Sequence, residues 1–293
     1  MDLRDKKYIP YILAGIIIVL MALIVVVIAS FMSKPDNNDY STEIITEPEV
    51  TTVFMNGLIP YYENVPASSF KRELFAYNDN GRMTYLDDSV SYYTGIDVSS
   101  HQGDINWRKV ADDGIDFVII RAGYRGYGTE GIMGEDSMFR KNARGALNAG
   151  LKIGVYFYSQ AITVEEAVEE AEFVLEIIDG YDIECPIVFD WETEPGIGMR
   201  TDNLPGKIIT DCAIAFCDRV NEEGYTPSVY FNLSDAYERY DLDRIRDYVF
   251  WYAQYKGSSP EFYYNYSIWQ YTNKGSVNGI NGVVDLNICF EEF

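Results

Sequence analysis

A chain of 293 residues, 47% hydrophobic and 15% aromatic, can bury one sizeable core and still leave segments outside it. Its formal net charge of −23 provides no basic surface to neutralise phosphates, which excludes nucleic acid as a partner. The single histidine, His101, excludes His-rich zinc sites and confines any Ser-His-Asp triad to one residue.

Taken in order, the chain begins with a membrane signal. Tyr8 to Ser33 carries no charged residue and Ile12 to Phe31 is almost continuously apolar, matching the roughly 20 residues that cross a bilayer as a helix. Arg4, Lys6 and Lys7 precede this run and mostly acids follow Lys34. The positive-inside rule then reads 1–33 as a cytoplasmic stub and transmembrane helix, and places everything after Lys34 outside the cell. The competing reading is a cleaved signal peptide, which needs a shorter apolar core, although Ala29 and Ser30 supply small residues near its end. Residues 34–56, with Pro35, Asp36, Asn37, Asn38, Asp39 and Pro48, read as a flexible linker. Residues 57–93 form a pre-domain segment in which Asn80-Gly81 separates Phe75-Ala76-Tyr77 from Met83-Thr84-Tyr85, a hairpin signal. A lone hairpin is marginal, so it is expected to lean on the main domain.

From Thr94 to Phe293 short β-rich runs alternate with amphipathic segments. The runs are Gly95 to Val98, Phe117 to Ala122, Lys152 to Tyr158, Pro186 to Glu192, Ser228 to Asn232, Val249 to Gln254, Ser267 to Tyr271 and Val283 to Leu286. Met138 to Ala149, Val164 to Ile178 and Ile208 to Glu223 are apolar at three-and-four spacing, which argues βαβ units and a parallel sheet. The fold class is therefore α/β, a (β/α) barrel, with its last three strands too crowded for full helices between them. Nearly every run ends in a polar side chain: Asp97, Arg121, Tyr158, Asp190 with Glu192, Asn232, Gln254, Gln270 and Asp285. In such a barrel those ends converge on one mouth, where sites are built.

The densest chemistry is Phe189-Asp190-Trp191-Glu192. Side chains two apart on a strand share a face, so Asp190 and Glu192 are expected to point together and one of them to hold its proton near neutral pH. Paired carboxylates of this kind are the equipment for cleaving a glycosidic bond; an isolated Asp-x-Glu is as readily a helix cap beside a solvated neighbour.

Several stretches, in order, resemble one family. Gly95-Ile96-Asp97-Val98-Ser99-Ser100-His101-Gln102-Gly103-Asp104 looks like the opening strand of family 25 of the glycoside hydrolases, the N-acetylmuramidase lysozymes. Phe117 to Tyr124, Gly154 to Ser159, Asp190-Trp191-Glu192, Trp251 to Tyr255, Trp269-Gln270-Tyr271 and Val284 to Asn287 resemble its later strands. The resemblance implies a flattened TIM-like barrel of five β/α units and three further strands. It also implies cleavage of the β-1,4 bond between N-acetylmuramic acid and N-acetylglucosamine in peptidoglycan. The family's four carboxylates fall on Asp97, Asp190, Glu192 and Asp285. Chitinases, another barrel family with a strand-end Asp-x-Glu, resemble the chain less, because their further Asp two positions earlier is here Val188.

Under this reading Glu192 is general acid and then base. Asp190 either attacks the anomeric carbon or, as favoured, holds the substrate's 2-acetamido group while its carbonyl attacks. Asp97 and Asp285, brought together by barrel closure, keep Glu192 protonated, and Arg121 offsets part of the charge. Tyr124, Tyr127, Tyr158, Trp269 and Tyr271 are candidates for stacking on sugar rings, with Tyr124 and Tyr158 the strongest; Asn232, Gln254 and Gln270 are candidate hydrogen-bonding groups. His101 reads as a loop hydrogen-bonding group. The four cysteines show no metal spacing and read as buried thiols, a Cys185–Cys289 bridge being the alternative outside the cell. No metal or organic cofactor is implied. Expected partners are peptidoglycan strands and the membrane, with the protein a monomer. The rivals are a tethered, inactive wall-binding module and a barrel hydrolase for another N-acetylated polymer.

Overall fold

Strand runs of Val, Ile, Phe and Tyr alternate with helices from Tyr93 onward, and each helix needs a sheet face on which to bury its apolar stripe. The computed structural model describes residues 52–54, 57–193, 196 and 198–293. Two short strands, β1 (Thr52–Phe54) and β2 (Gly57–Ile59), and a hairpin, β3 (Phe75–Tyr77) and β4 (Met83–Tyr85), precede the main sheet. That sheet holds β5 (Tyr93–Val98), β6 (Phe117–Arg125), β7 (Met133–Glu135), β8 (Lys152–Tyr158) and β9 (Ile187–Asp190). It continues with β10 (Pro227–Asn232), β11 (Val249–Ala253), β12 (Ile268–Gly275) and β13 (Val284–Cys289).

The order β5-β13-β12-β11-β10-β9-β8-β6 is closed by pairing of β5 with β6, giving an eight-stranded barrel with β7 as an extra strand on β6. All barrel neighbours are parallel except β13, which runs antiparallel to both β12 and β5. Helices α1 (Trp107–Asp112), α2 (Phe139–Asn148), α3 (Val164–Ile178) and α4 (Gly206–Glu222) follow β5, the β6–β7 pair, β8 and β9. Two short helices, α5 (Leu233–Glu238) and α6 (Leu242–Ile245), follow β10. Five β/α units and three further strands are thus present, the expected flattened TIM-like architecture.

Two cores result. One fills the barrel with Phe117, Ile119, Val188, Tyr230, Trp251, Ile268 and their neighbours. The other lies between strands and helices, where Ala167, Ala171, Val174 and Ile178 form the buried stripe of α3, a helix started by Thr163 accepting from the Glu166 amide. Alternation along each strand divides the cores, so Val188 and Asp190 face inward while Ile187, Phe189 and Trp191 face the helices. Gly95 must lack a side chain: a Cβ there would fall inside the Phe117 ring that plugs the barrel.

No long helix follows β11, β12 or β13, and their outer faces are covered from elsewhere. The segment before the barrel lies across them. Phe75 packs edge-on against Trp269 at 5.3 Å and against Phe290 at 5.9 Å, and Tyr77 meets Tyr271 at 6.1 Å. The Tyr62 amide donates to the Tyr264 hydroxyl at 2.7 Å, the Ser68 amide to the Tyr263 carbonyl at 2.9 Å, and Arg82 Nη2 to Asp113 Oδ2 at 2.7 Å. Val65, Phe75, Met83 and Tyr85 are buried in the same outer core as Trp269 and Tyr271. That core therefore runs across the boundary read at Thr94.

One further reading is refined. The strand expected from Pro186 to Glu192 stops at Asp190, level with Tyr158, the last residue of β8, although β10 runs on to Asn232. All four cysteines are buried free thiols. The membrane span read at Ile12–Phe31 lies outside the described residues; among those, no helix is long and apolar enough to cross a membrane.

Candidate active site

The barrel's C-terminal rim brings the acidic residues together. Antiparallel pairing sets Asp97 of β5 directly opposite Asp285 of β13. Asp190 ends β9, level with Tyr158 of β8 and Tyr230 of β10. Glu192 lies two residues beyond, half-buried at the edge of a cavity lined by Trp191, Thr193, Met199, Thr201, Asp202 and Arg239. The strand has ended before Glu192, so a shared strand face does not align it with Asp190. Its charge nonetheless reaches Asp97, Tyr158 and Tyr230, and Asp190's reaches Tyr156, Tyr158 and Tyr230. All four carboxylates therefore lie within electrostatic reach of the same end of the barrel.

Burial of Asp97, and then the charge of Asp285, hold the Asp97 carboxyl well above the usual carboxylate range. Burial pushes Asp285 up to about 6. Burial and like charge thus favour a proton on the Asp97–Asp285 pair near neutral pH. Asp97 Oδ2 accepts from Gln270 Nε2 and from Asn287 Nδ2, each at 2.8 Å. Behind them, Tyr230 and Tyr255 both donate their hydroxyls to Gln270 Oε1, at 3.0 and 2.7 Å, and Trp251 Nε1 donates to Asn287 Oδ1 at 2.8 Å. Asp97 is fixed from two sides by groups that are themselves fixed.

Several residues read as substrate ligands have other work. Gln270, 3% exposed, holds Asp97 and two tyrosines rather than opening to the mouth. Asn232 caps α5, accepting from the Asp235 amide at 3.0 Å. Gln254 follows the last residue of β11 and secures its own loop, accepting from the Glu261 amide at 2.7 Å. Arg121 donates from Nε to Asp136 Oδ2 at 2.8 Å and from Nη2 to Ser100 Oγ at 3.1 Å, so its charge is matched by Asp136 rather than by the acids of the mouth. Trp269 and Tyr271, 0% and 1% exposed, belong to the outer core beneath the hairpin. Tyr124 is exposed beside Tyr158 in register, under the Arg121 guanidinium at 5.7 Å. Tyr127, also exposed, meets the Tyr158 ring edge-on at 6.0 Å. His101 is exposed in a turn whose backbone is capped by Ser99.

The sequence reading assigned no role to Asn287, Tyr230, Tyr255, Asp136 or Asp235. Asn287 had a signal: a polar residue two after Asp285 in an apolar strand must share its inward face. Asp235 had none. It is 2% exposed and accepts from Thr193 Oγ1 at 2.7 Å and Asn232 Nδ2 at 2.7 Å, pinning the turn that carries Glu192.

Comparison with known proteins agrees with this fold. The family model described as glycosyl hydrolases family 25 matches residues 96–280. The autolytic lysozyme of Clostridium acetobutylicum is 32% identical over 193 residues, which cover 66% of this chain and 54% of that protein. Lysozyme M1 of Streptomyces globisporus is 28% identical over 205 residues, 66% of each. Among solved structures, the modular autolysin LytC of Streptococcus pneumoniae in complex with a synthetic peptidoglycan ligand superposes with a TM-score of 0.61 at 26% identity, covering 73% of this chain and 51% of that one. The chain thus spans about half the length of the autolytic lysozyme and of LytC.

Proposed function

This chain belongs to glycosyl hydrolase family 25, and from that premise we propose that it cleaves the β-1,4 bond between N-acetylmuramic acid and N-acetylglucosamine in peptidoglycan, with retention. The observation that carries the reading is the gathering of Asp97, Asp190, Glu192 and Asp285 on one rim, delivered by β5, by β9 with the turn after it, and by β13. The relatives, two lysozymes and an autolysin bound to a peptidoglycan ligand, support the substrate class.

Glu192, half-buried at the cavity edge, protonates the leaving glycosidic oxygen and then takes a proton from the attacking water. Asp190, 5% exposed at the end of a buried strand, holds the 2-acetamido group of the sugar under attack so that its carbonyl closes on the anomeric carbon. Asp97 and Asp285 share the burden of like charge, which favours a protonated Glu192 before the first step. Tyr124, Tyr127 and Tyr158 line the approach on one side and the exposed ring of Tyr255 on the other, offering flat apolar faces to sugar rings.

Glu192→Gln keeps the shape and removes the acid. Turnover of purified peptidoglycan is expected to fall by about 10²–10⁴; wild-type turnover in that variant would refute the assignment. Mass spectrometry of the digest should find muramic acid at the new reducing ends, and the first-formed anomer, followed by NMR, should be β.

The same reading places the barrel outside the cell as a monomer, anchored by Ile12–Phe31 with 34–56 as the linker. Its support is the run of uncharged residues flanked by Arg4, Lys6 and Lys7 on one side and acids on the other. Retention of the protein in carbonate-washed membranes, with the barrel open to external protease, tests it.

A further inference from the structure

A carboxylate sits where the pattern of α3 calls for an apolar residue. Ala167, Ala171, Val174 and Ile178 make the helix's buried stripe, and Glu170 lies among them with 0% exposure. Burying a charge there is costly unless it is paired and hydrogen-bonded. It is both. Glu170 Oε1 accepts from Arg125 Nε at 2.7 Å, and Oε2 from Ser159 Oγ at 2.6 Å.

These partners come from separate rim segments. Arg125 ends β6, and its Nη1 donates at 3.0 Å to the Gly131 carbonyl, within the loop that joins β6 to β7 and carries Tyr127. Ser159 follows Tyr158, and its amide donates at 2.7 Å to the carbonyl of Asp190. A third segment joins through the next residue. Gln160 Oε1 accepts from Thr201 Oγ1 at 3.1 Å, while the Arg200 amide reaches the Tyr127 carbonyl at 3.2 Å. Apolar packing alone could hold α3 against the sheet, but it could not link three polar turns to one point.

Resting on the proposed hydrolase reading, we infer that Glu170 is a positioning residue: through Arg125 and Ser159 it fixes together the β6–β7 turn, the turn after β8 and the 199–204 turn, and with them Tyr127, Tyr158 and the backbone of Asp190. It touches no substrate. The argument is one of rigidity, since a displacement of about 1 Å at a reacting group can cost on the order of 100-fold in rate.

The full chain carrying Glu170→Gln, which keeps the volume and the Ser159 bond but removes the charge facing Arg125, tests this beside Ser159→Ala, Thr201→Val and a control. The control is Val220→Ala, which opens a cavity at the far end of α4. At a temperature where all are folded, Glu170→Gln should lose roughly 10- to 100-fold in kcat/KM on soluble peptidoglycan fragments, and Val220→Ala no more than twofold. Ser159→Ala should lose mainly kcat, because it loosens Asp190, and Thr201→Val should mainly raise KM. Amide hydrogen exchange gives a readout independent of activity. In Glu170→Gln the turns at 126–132, 159–162 and 199–204 should all exchange faster together, and in Val220→Ala they should not. Activity equal to the control, or exchange that rises in only one turn, overturns the inference. An inactive wild type whose three turns still loosen together in Glu170→Gln would instead refute the hydrolase reading and leave the network standing.

Discussion

The two sides of the barrel meet the same physical demand in opposite ways. On one side β8 and β9 are covered by helices that follow them directly, as where Phe216 of α4 packs on Phe189 at 5.5 Å. On the other, β12 is covered by residues far upstream, as where Phe75 packs on Trp269. Tyr62 and Tyr264 are bonded across 202 residues of chain. A sheet face of aromatic residues must be shielded from water whatever supplies the cover. The lesson is that a segment outside the family-matched residues 96–280 is part of the fold.

The largest test removes that cover. A protein beginning at Tyr93 is expected to lose cooperative unfolding or to aggregate, while one beginning at Gly57 unfolds in a single transition; calorimetry distinguishes them. If the shorter protein melts as the longer one does, the two sides are not equivalent. Next come matched single truncations. Phe75→Ala and Phe216→Ala should each cost about 3–5 kcal/mol in denaturant unfolding, and a Phe75→Ala cost below 1 kcal/mol would reduce the upstream segment to decoration.

The mouth offers a test by pH. The folded state holds the Asp285 proton up to about 6, against an ordinary value of 3.8. Between those values the native state binds more protons than the unfolded one, so wild-type stability falls as pH rises through the window and stays lowered above it. Asp285→Asn removes this penalty. The variant should be more stable than wild type at pH 7, by on the order of 1–3 kcal/mol, and the two should converge below pH 4, while hydrolysis is impaired. Equal stability at pH 7 would show that the pair carries no strain.

Smaller effects follow. Asn232→Ala removes the cap of α5 and one donor to Asp235, costing about 1 kcal/mol, with a further loss of activity because Asp235 also holds Thr193 beside Glu192. Arg72→Ala removes a half-exposed bond to Ser259 Oγ at 3.1 Å and a 3.9 Å pairing with Glu261. It should change stability by less than about 1 kcal/mol. A larger loss would mean that the upstream segment is held by its polar edge more than by its rings.

Legibility of the site varied with the kind of evidence each residue offers. Asp97, Asp190 and Asp285 stand at the ends of apolar runs, and barrel closure gathers such ends. Asn232, Gln254 and Gln270 stand at equally good positions and serve otherwise. A strand end is where a ligand, a helix cap and a loop anchor all reside, and spacing does not separate them. Arg121 was visible, but its partner Asp136, 15 residues on, was not.

Local periodicity by itself determined most of the barrel strands, the long helices and the barrel class, because alternation and three-and-four spacing are properties of neighbours in the chain. Tertiary structure alone decided that Phe75 and Met83 stand in for missing helices, that Gln270 and Asn287 grip Asp97, and that Glu170 is tolerated in a buried stripe. Each of these is a contact between segments distant in sequence, and desolvation makes such partners obligatory only once the chain has closed around them.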